Sequence, residues 1–188
     1  MTKLLTICLV IGFVTASGCA QEEGSVPEST DADQTPGAIE ASTEPTVDEQ
    51  IQMLDEMCAD ASEAMKLRQE TRSLYDRAGG RDAINKVVKE TVRLHLVNDK
   101  IKGLLDGVDS ERLIQQVTDF LVVATGGEGE YTGRDMETAH AHLNLTNADF
   151  LAAGGDLKKA MQTTGLGEDE TQEILCAFVS LRAAVVIQ

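Results

Sequence analysis

The chain has 188 residues, no tryptophan, an aromatic content of 3% and a formal charge of -16. That length suits one domain with appendages, and with so few rings the core must come mainly from Leu, Val, Ile, Ala and Met. A field of this sign repels phosphate backbones, which argues against a nucleic-acid partner, and no basic amphipathic segment suggests adsorption to a membrane surface.

The first 18 residues read as a secretory signal. In MTKLLTICLVIGFVTASGC, Lys3 is the charged end, residues 4–14 are the apolar run, and Ala16-Ser17-Gly18 precede Cys19. The apolar run is short for a spanning helix. The segment resembles a bacterial lipobox with Cys19 as the lipidated residue, although Ala16 stands where that motif usually has Leu. Simple cleavage and an uncleaved anchor are the alternatives. Acyl chains on Cys19 would bury methylenes in lipid at about 0.8 kcal/mol each, so the expected location is a membrane-anchored lipoprotein facing the periplasm or the cell exterior. Residues 19–45 follow as an acidic tether. Residues 19–50 carry nine acids and no base, and Ser, Thr, Pro and Gly supply much of the rest, a composition that cannot build a core. A tail without any spacing role fits the same composition.

Cys8 leaves with the signal and Cys19 is expected to be acylated, so Cys58 and Cys176 remain as an even pair. In an oxidising compartment they are predicted to form a disulfide, worth about 4–5 kcal/mol on the chain-entropy account. Two buried free thiols are the other reading.

Residues 46–72 are predicted as one helix. Thr46 and Glu49 form a capping box, and Ile51, Leu54, Cys58, Ala61 and Met65 recur at helical spacing. SLYDRAGG gives a short helical turn ended by Gly79-Gly80. Residues 82–97 give a stripe of Ile84, Val87, Val88, Thr91, Val92 and His95. Asp109 can cap a helix over 110–125 whose inner face is Leu113, Gln116, Val117, Phe120 and Leu121, with Gly126-Gly127 at its end. A glycine-rich loop leads to a short helix carrying His140. Thr146 and Asp149 start another helix, with Phe150, Ala153, Leu157 and Met161 on one side and Gly154-Gly155 as a local weakness. A last helix over 168–187 has one stripe through Ile174, Phe178, Leu181 and Val185. A second runs through Cys176, Val179, Ala183 and Val186, and so asks for a second packing partner. The helix at 46–72, brought in through Cys58, is the candidate for it. No segment alternates like a strand, no repeat has a fixed period, and the fold class is all-α.

Enzyme signatures are sparse. There is no Cys-x-x-Cys, nucleophile elbow or phosphate loop, and three histidines are too few and badly spaced for zinc. Two of the three lie in YTGRDMETAHAHL, residues 131–143. Taken alone, His140 reads as a surface or capping residue.

The order and spacing of two segments change that reading. SLYDRAGGRDAINKVV and FLVVATGGEGEYTGRDMETAHAHLNLT resemble the opening, the second glycine joint and the proximal-histidine segment of truncated hemoglobins of the first group. The resemblance runs from Ser73 to about Val186, within a domain taken as 73–188. It implies a two-on-two helical sandwich with an extra N-terminal helix, a haem b cofactor, a diatomic gas ligand (oxygen, nitric oxide or carbon monoxide) and an unidentified reductant. It places His140 on the iron ligand, with Met136 four residues earlier on the same helical face and Arg134 near a haem propionate. An ordinary exposed arginine is the alternative for Arg134, and His142 is a solvated neighbour.

The resemblance also exposes departures. The family commonly has an aromatic pair, usually Phe-Tyr, where this chain has Thr91-Val92, and a Phe where it has Leu104-Leu105. Distal-helix positions that are often polar read Leu113, Gln116 and Val117, with Phe120 retained. The expected pocket, formed by Val92, Leu104, Leu105, Leu113, Gln116, Val117, Phe120 and Met136, is therefore unusually apolar, with Gln116 as its one evident donor. Loss of a tyrosine donor worth about 1.5–3 kcal/mol predicts weaker oxygen binding, with less effect on carbon monoxide and nitric oxide. Ligand binding is expected rather than turnover. His95 can be read as a potential sixth iron ligand or as a half-buried histidine at a helix end. A globin-fold lipoprotein that has lost haem and acts as an interaction module is the alternative function.

Overall fold

The computed structural model describes residues 44–187. The expected signal, Cys19 and the tether up to residue 43 lie outside the described residues. Eight α-helices follow one another: α1 Val47–Thr71, α2 Leu74–Arg77, α3 Gly80–His95, α4 Ser110–Ala124, α5 Met136–His140, α6 Asn147–Thr164, α7 Glu168–Ser180 and α8 Arg182–Val185. Short 3-10 turns occupy Lys102–Leu105 and Ala141–Leu143. Among the described residues the one β-type pairing is an isolated bridge between Leu145 and Val186.

The capping chemistry read from the sequence sets the helix starts. Thr46 N donates to Glu49 Oε2 at 2.7 Å, and Thr46 Oγ1 accepts from Glu49 N at 3.3 Å, which satisfies the orphan donors of α1. Thr146 and Asp149 repeat the arrangement at α6, and the Asp109 carboxylate accepts from the backbone of Glu111 and Arg112 at α4.

Helix α3 is the hub. It packs against α4 on one side and α6 on the other, and α6 in turn meets α7. The pairs α3/α4 and α6/α7 are the two layers of the sandwich. Ile84, Val88, Val92 and Val122 form the core between α3 and α4. Val87 and Leu94 face Leu157, Ala160, Met161, Ile174 and Leu175 on the other side.

Two expectations need correction. Gly154-Gly155 does not weaken α6, which runs through them without a break. A Cβ on Gly154 would lie 3.0 Å from the Phe178 ring, so this glycine lets Phe178 lie close and stack on Phe150 at a centroid distance of 4.3 Å. The last helix is not continuous over 168–187. It turns at Leu181, whose N–H bonds the Phe178 carbonyl at 3.0 Å, and the chain then leaves the helix so that Ile187 N donates to Leu145 O at 3.2 Å. Val185, after the turn, joins a cluster with Ile51, Leu145 and Phe150.

Helix α1 packs along α6 and α7. Cys58 and Cys176 are joined by a disulfide with their Cα atoms 5.4 Å apart, closing a span of 118 residues. Near the other end of α1, Glu173 is buried with its side chain 1% exposed. Its carboxylate accepts from Arg68 Nε at 2.7 Å, Gln69 Nε2 at 2.9 Å and Arg77 at 2.6 Å. Burial pushes this carboxyl upward, but the hydrogen bonds from Gln69, Arg68 and Arg77 outweigh it and hold Glu173 below the usual glutamate range.

That depression has a definite sign. The stability it supplies is present above the unfolded glutamate pKa, about 4.3, and is lost as pH falls through the lower folded value. Glu173→Ala removes the shared partner of Arg68 and Arg77, leaving them Asp169 and Glu170 respectively, and is expected to lower stability in urea unfolding at pH 7 by up to about 3 kcal/mol. Glu173→Gln is expected to flatten the fall in stability below about pH 4; equal acid profiles for the variant and the parent would refute the account.

Candidate functional site

His140 closes the five-residue helix α5. Asp135 starts that helix by accepting from Thr138 N at 2.8 Å and Thr138 Oγ1 at 2.7 Å. One helical turn then brings His140 over Met136, and ring Nδ1 lies 2.8 Å from the Met136 carbonyl oxygen. A carbonyl can only accept, so Nδ1 carries a hydrogen, and in the neutral ring this leaves the lone pair on Nε2. The ring is half-buried, and among the described residues no protein group bonds Nε2. His142, two residues on, is exposed.

The apolar candidates fall into two groups, one beside α5 and one on α4. Met136 and Leu143, with Leu104, pack on the cluster of Ile51, Leu145, Phe150 and Val185, while Leu105 is half-buried beside Leu104. Leu113, Val117 and Leu121 of α4 pack on Ile84, Val88, Val92 and Val122. Val92 itself belongs to that core, at 5% exposure. In α4 only Thr118 and Val122 are buried, whereas the face carrying Leu113, Gln116, Val117, Phe120 and Leu121 is half-buried.

Gln116 and Phe120 meet the loop before α5. The Phe120 and Tyr131 rings meet edge to face, with centroids 5.4 Å apart and planes at 72°. The Tyr131 hydroxyl donates to the Arg134 carbonyl at 2.8 Å. A Cβ on Gly133 would fall 2.3 Å from the Tyr131 hydroxyl and 2.5 Å from Gln116 Oε1, so only glycine lets the loop close this tightly on α4. The Arg134 side chain is exposed.

Two polar candidates are engaged elsewhere. Thr91 Oγ1 donates to the Val87 carbonyl of its own helix at 2.9 Å. His95 Nδ1 lies 2.9 Å from Asp156 Oδ2, an oxygen that also accepts from Asn98 Nδ2 at 2.9 Å. His95 is a half-buried helix-end histidine tied to α6 through Nδ1.

Residues 73–187 match the family model described as bacterial-like globin. The chain is 31% identical over 112 residues to the group 1 truncated hemoglobin GlbN of Mycolicibacterium paratuberculosis, covering 60% of this chain and 82% of the relative. It is 29% identical to GlbN of a Nostoc species, over 61% of this chain and 97% of the relative. This chain belongs to the bacterial-like globins, among the group 1 truncated hemoglobins. Solved structures agree with the fold. Truncated hemoglobin of Tetrahymena pyriformis in its Fe(III) form superposes with a TM-score of 0.58 at 25% identity, covering 61% of this chain and 98% of that one. The 2/2 hemoglobin of Synechococcus sp. PCC 7002, in the cyanomet state with covalently attached heme, gives 0.55 at 26% identity, covering 60% and 94%. Helix α1 precedes the matched region.

The residues present fit the group this family implies. A half-buried imidazole with a committed Nδ1 and a free Nε2 is what an axial iron ligand requires, and the half-buried aliphatic faces on α4 and beside α5 suit a flat apolar macrocycle. Sequence reasoning missed Leu143 as a member of these faces, although it stands three residues after His140, at helical spacing. It also missed Tyr131 as the partner of Phe120, for which an irregular loop gives no periodic signal.

Proposed function

We propose that this truncated hemoglobin holds haem b through Nε2 of His140 and binds a small diatomic ligand in an unusually apolar distal pocket. The observation that carries the reading is the bond from His140 Nδ1 to the Met136 carbonyl, which commits one ring nitrogen and leaves the other as a donor of electrons. When bound, haem supplies an iron with an open coordination position for oxygen, nitric oxide or carbon monoxide. Met136 and Leu104 would lie on the apolar surface beside the proximal residue; Leu105, Leu113, Val117 and Phe120, with Val92 behind them, would exclude water without offering a hydrogen bond. Arg134, exposed in the loop, would pair with a haem carboxylate at the solvent edge.

Gln116 is then the one amide donor in the proposed lining, since the Thr91 hydroxyl serves its own backbone. Oxygen gains more than carbon monoxide or nitric oxide from such a donor, so a pocket with a single amide disfavours oxygen relative to the other two. The role is ligand binding rather than turnover.

We propose further that the chain is exported and anchored through acyl chains on Cys19. The Cys58–Cys176 disulfide supports an oxidising compartment. Among the described residues no helix is long and apolar enough to cross a membrane.

Purified protein is expected to show a strong porphyrin absorption band that changes on reduction and again with carbon monoxide, and His140→Ala is expected to abolish or displace it. A colourless protein indifferent to added hemin would sink the reading and leave the haem-free interaction module. Gln116→Leu is expected to lower oxygen affinity by about tenfold with little change for carbon monoxide, measured by equilibrium titration. Cys19→Ser is expected to move the chain from the membrane to the soluble fraction; retention at the membrane would point instead to an uncleaved anchor.

A further inference from the structure

Helix α1 lies outside the region that matches the globin family, yet it reaches the surroundings of His140. It is tied down at several points along its 25 residues. At its C-terminal end Arg68 and Gln69 hold Glu173. In the middle, Cys58 is bonded to Cys176 and Asp55 pairs with Arg182 at 3.3 Å. At the N-terminal end Ile51 is 7% exposed and is the buried residue of the helix. Arg68 and Ile51 are separated by about 25 Å of helix, so the first clamp alone would leave the far end free to swing. The disulfide and the Asp55 pair remove that freedom, and the capping box at Thr46 and Glu49 opposes fraying of the first turn.

Ile51 joins the cluster of Leu145, Phe150 and Val185, on which Met136 and Leu143 pack. These two residues bracket His140. Met136 also supplies, through its carbonyl, the acceptor that fixes the His140 ring. We infer that α1 is a brace for the proximal segment, and that Ile51 is a positioning residue which sets the orientation of the His140 imidazole through Met136 and Leu143. This rests on the reading of His140 as the iron ligand. Helix α5 has only five residues, too few to hold its own geometry in water, so the rigidity of the histidine comes from what packs beneath it. Loss of the Ile51 side chain leaves a gap in the cluster on which Met136 and Leu143 pack. The Met136 carbonyl then wanders, and the Nδ1–H proton is no longer held to one acceptor.

The test uses the full chain carrying Ile51→Ala, with Ile51→Val as the milder variant should the first not fold. Val87→Ala serves as a control, being a truncation in the cluster with Leu157 and Met161, away from α5. Two signatures of His140 are read. Long-range nitrogen–proton NMR of the haem-free chain reports the imidazole tautomer, and resonance Raman of the reduced haem-loaded chain reports the iron–histidine stretch. The expected result is that the Ile51 variants lose the pure Nδ1–H tautomer and shift and broaden the iron–histidine line, while Val87→Ala lowers thermal stability but leaves both signatures in place. Destabilisation by the Ile51 variants with both signatures unchanged would overturn the inference and reduce α1 to a cover for the apolar cluster. If His140→Ala leaves the haem spectrum unaltered, the iron-ligand reading fails by itself, and the tautomer measurement still decides whether α1 orients the ring.

Discussion

The bond between His140 Nδ1 and the Met136 carbonyl is weak by any energetic measure. A neutral hydrogen bond nets about 0.5–1.5 kcal/mol, less than the burial of one Ile side chain, about 1.5–3 kcal/mol. Its importance is geometric. It selects one tautomer, stops ring rotation and turns the remaining lone pair in a fixed direction. Each neighbouring feature bears on that direction. Asp135 caps the helix in which the bond forms, Tyr131 pins the preceding loop by bonding the Arg134 carbonyl, and Met136 and Leu143 sit on the apolar cluster below. A five-residue helix has little stability of its own, so the constraint is exported to its surroundings.

The attachment of α1 follows a different physical logic. Glu173 is a buried charge in an acidic protein, and its desolvation is unfavourable wherever it sits. It is tolerated because three donors from α1 and α2 converge on its two oxygens. An apolar residue there would leave Arg68 and Arg77 with only their more exposed partners Asp169 and Glu170, and it would remove the directional contact between α1 and α7, since apolar contacts are not directional. The disulfide complements the cluster by restricting the unfolded chain rather than by directing the folded one. One device sets register and the other opposes release, which explains why a helix with only one fully buried residue still has a definite seat.

Much of this was legible in the sequence, for physical reasons that differ by element. Helix starts were readable because capping is local: Thr46 with Glu49, Asp109, and Thr146 with Asp149 each need only residues within one turn. The positions of α3 and α4 followed from apolar periodicity and from their glycine ends. The order of motifs around Gly79-Gly80 and His140 carried the family. What could not be read depends on contacts between distant segments. Gly154 looks like a helix weakness until Phe178 is seen to need the space. The turn at Leu181 has no Pro or Gly to mark it, and its benefit, the seating of Val185 and the pairing of Ile187 with Leu145, lies some forty residues away. His95 on an apolar stripe gave no hint of its partner, Asp156, which lies on another helix.

The site is also asymmetric in a way that follows from composition. A chain with four Phe, two Tyr and no Trp has few rings to lay against a macrocycle, and a Leu in place of a Phe gives up contact area at about 25 cal/mol per Å². On the proposed reading, retention of a flat apolar group would lean more heavily on the single directional bond from His140. Binding weakens whenever the ligating side chain must first be ordered, because that entropy is subtracted from the affinity. A histidine held in one tautomer by the Met136 carbonyl, on a helix seated over a cluster that α1 completes, has been ordered in advance. On the proposed reading, a lining short of aromatic rings and a well-supported His140 would be two sides of one compromise: contact area given up on one side is offset by pre-organisation of the ligating residue on the other.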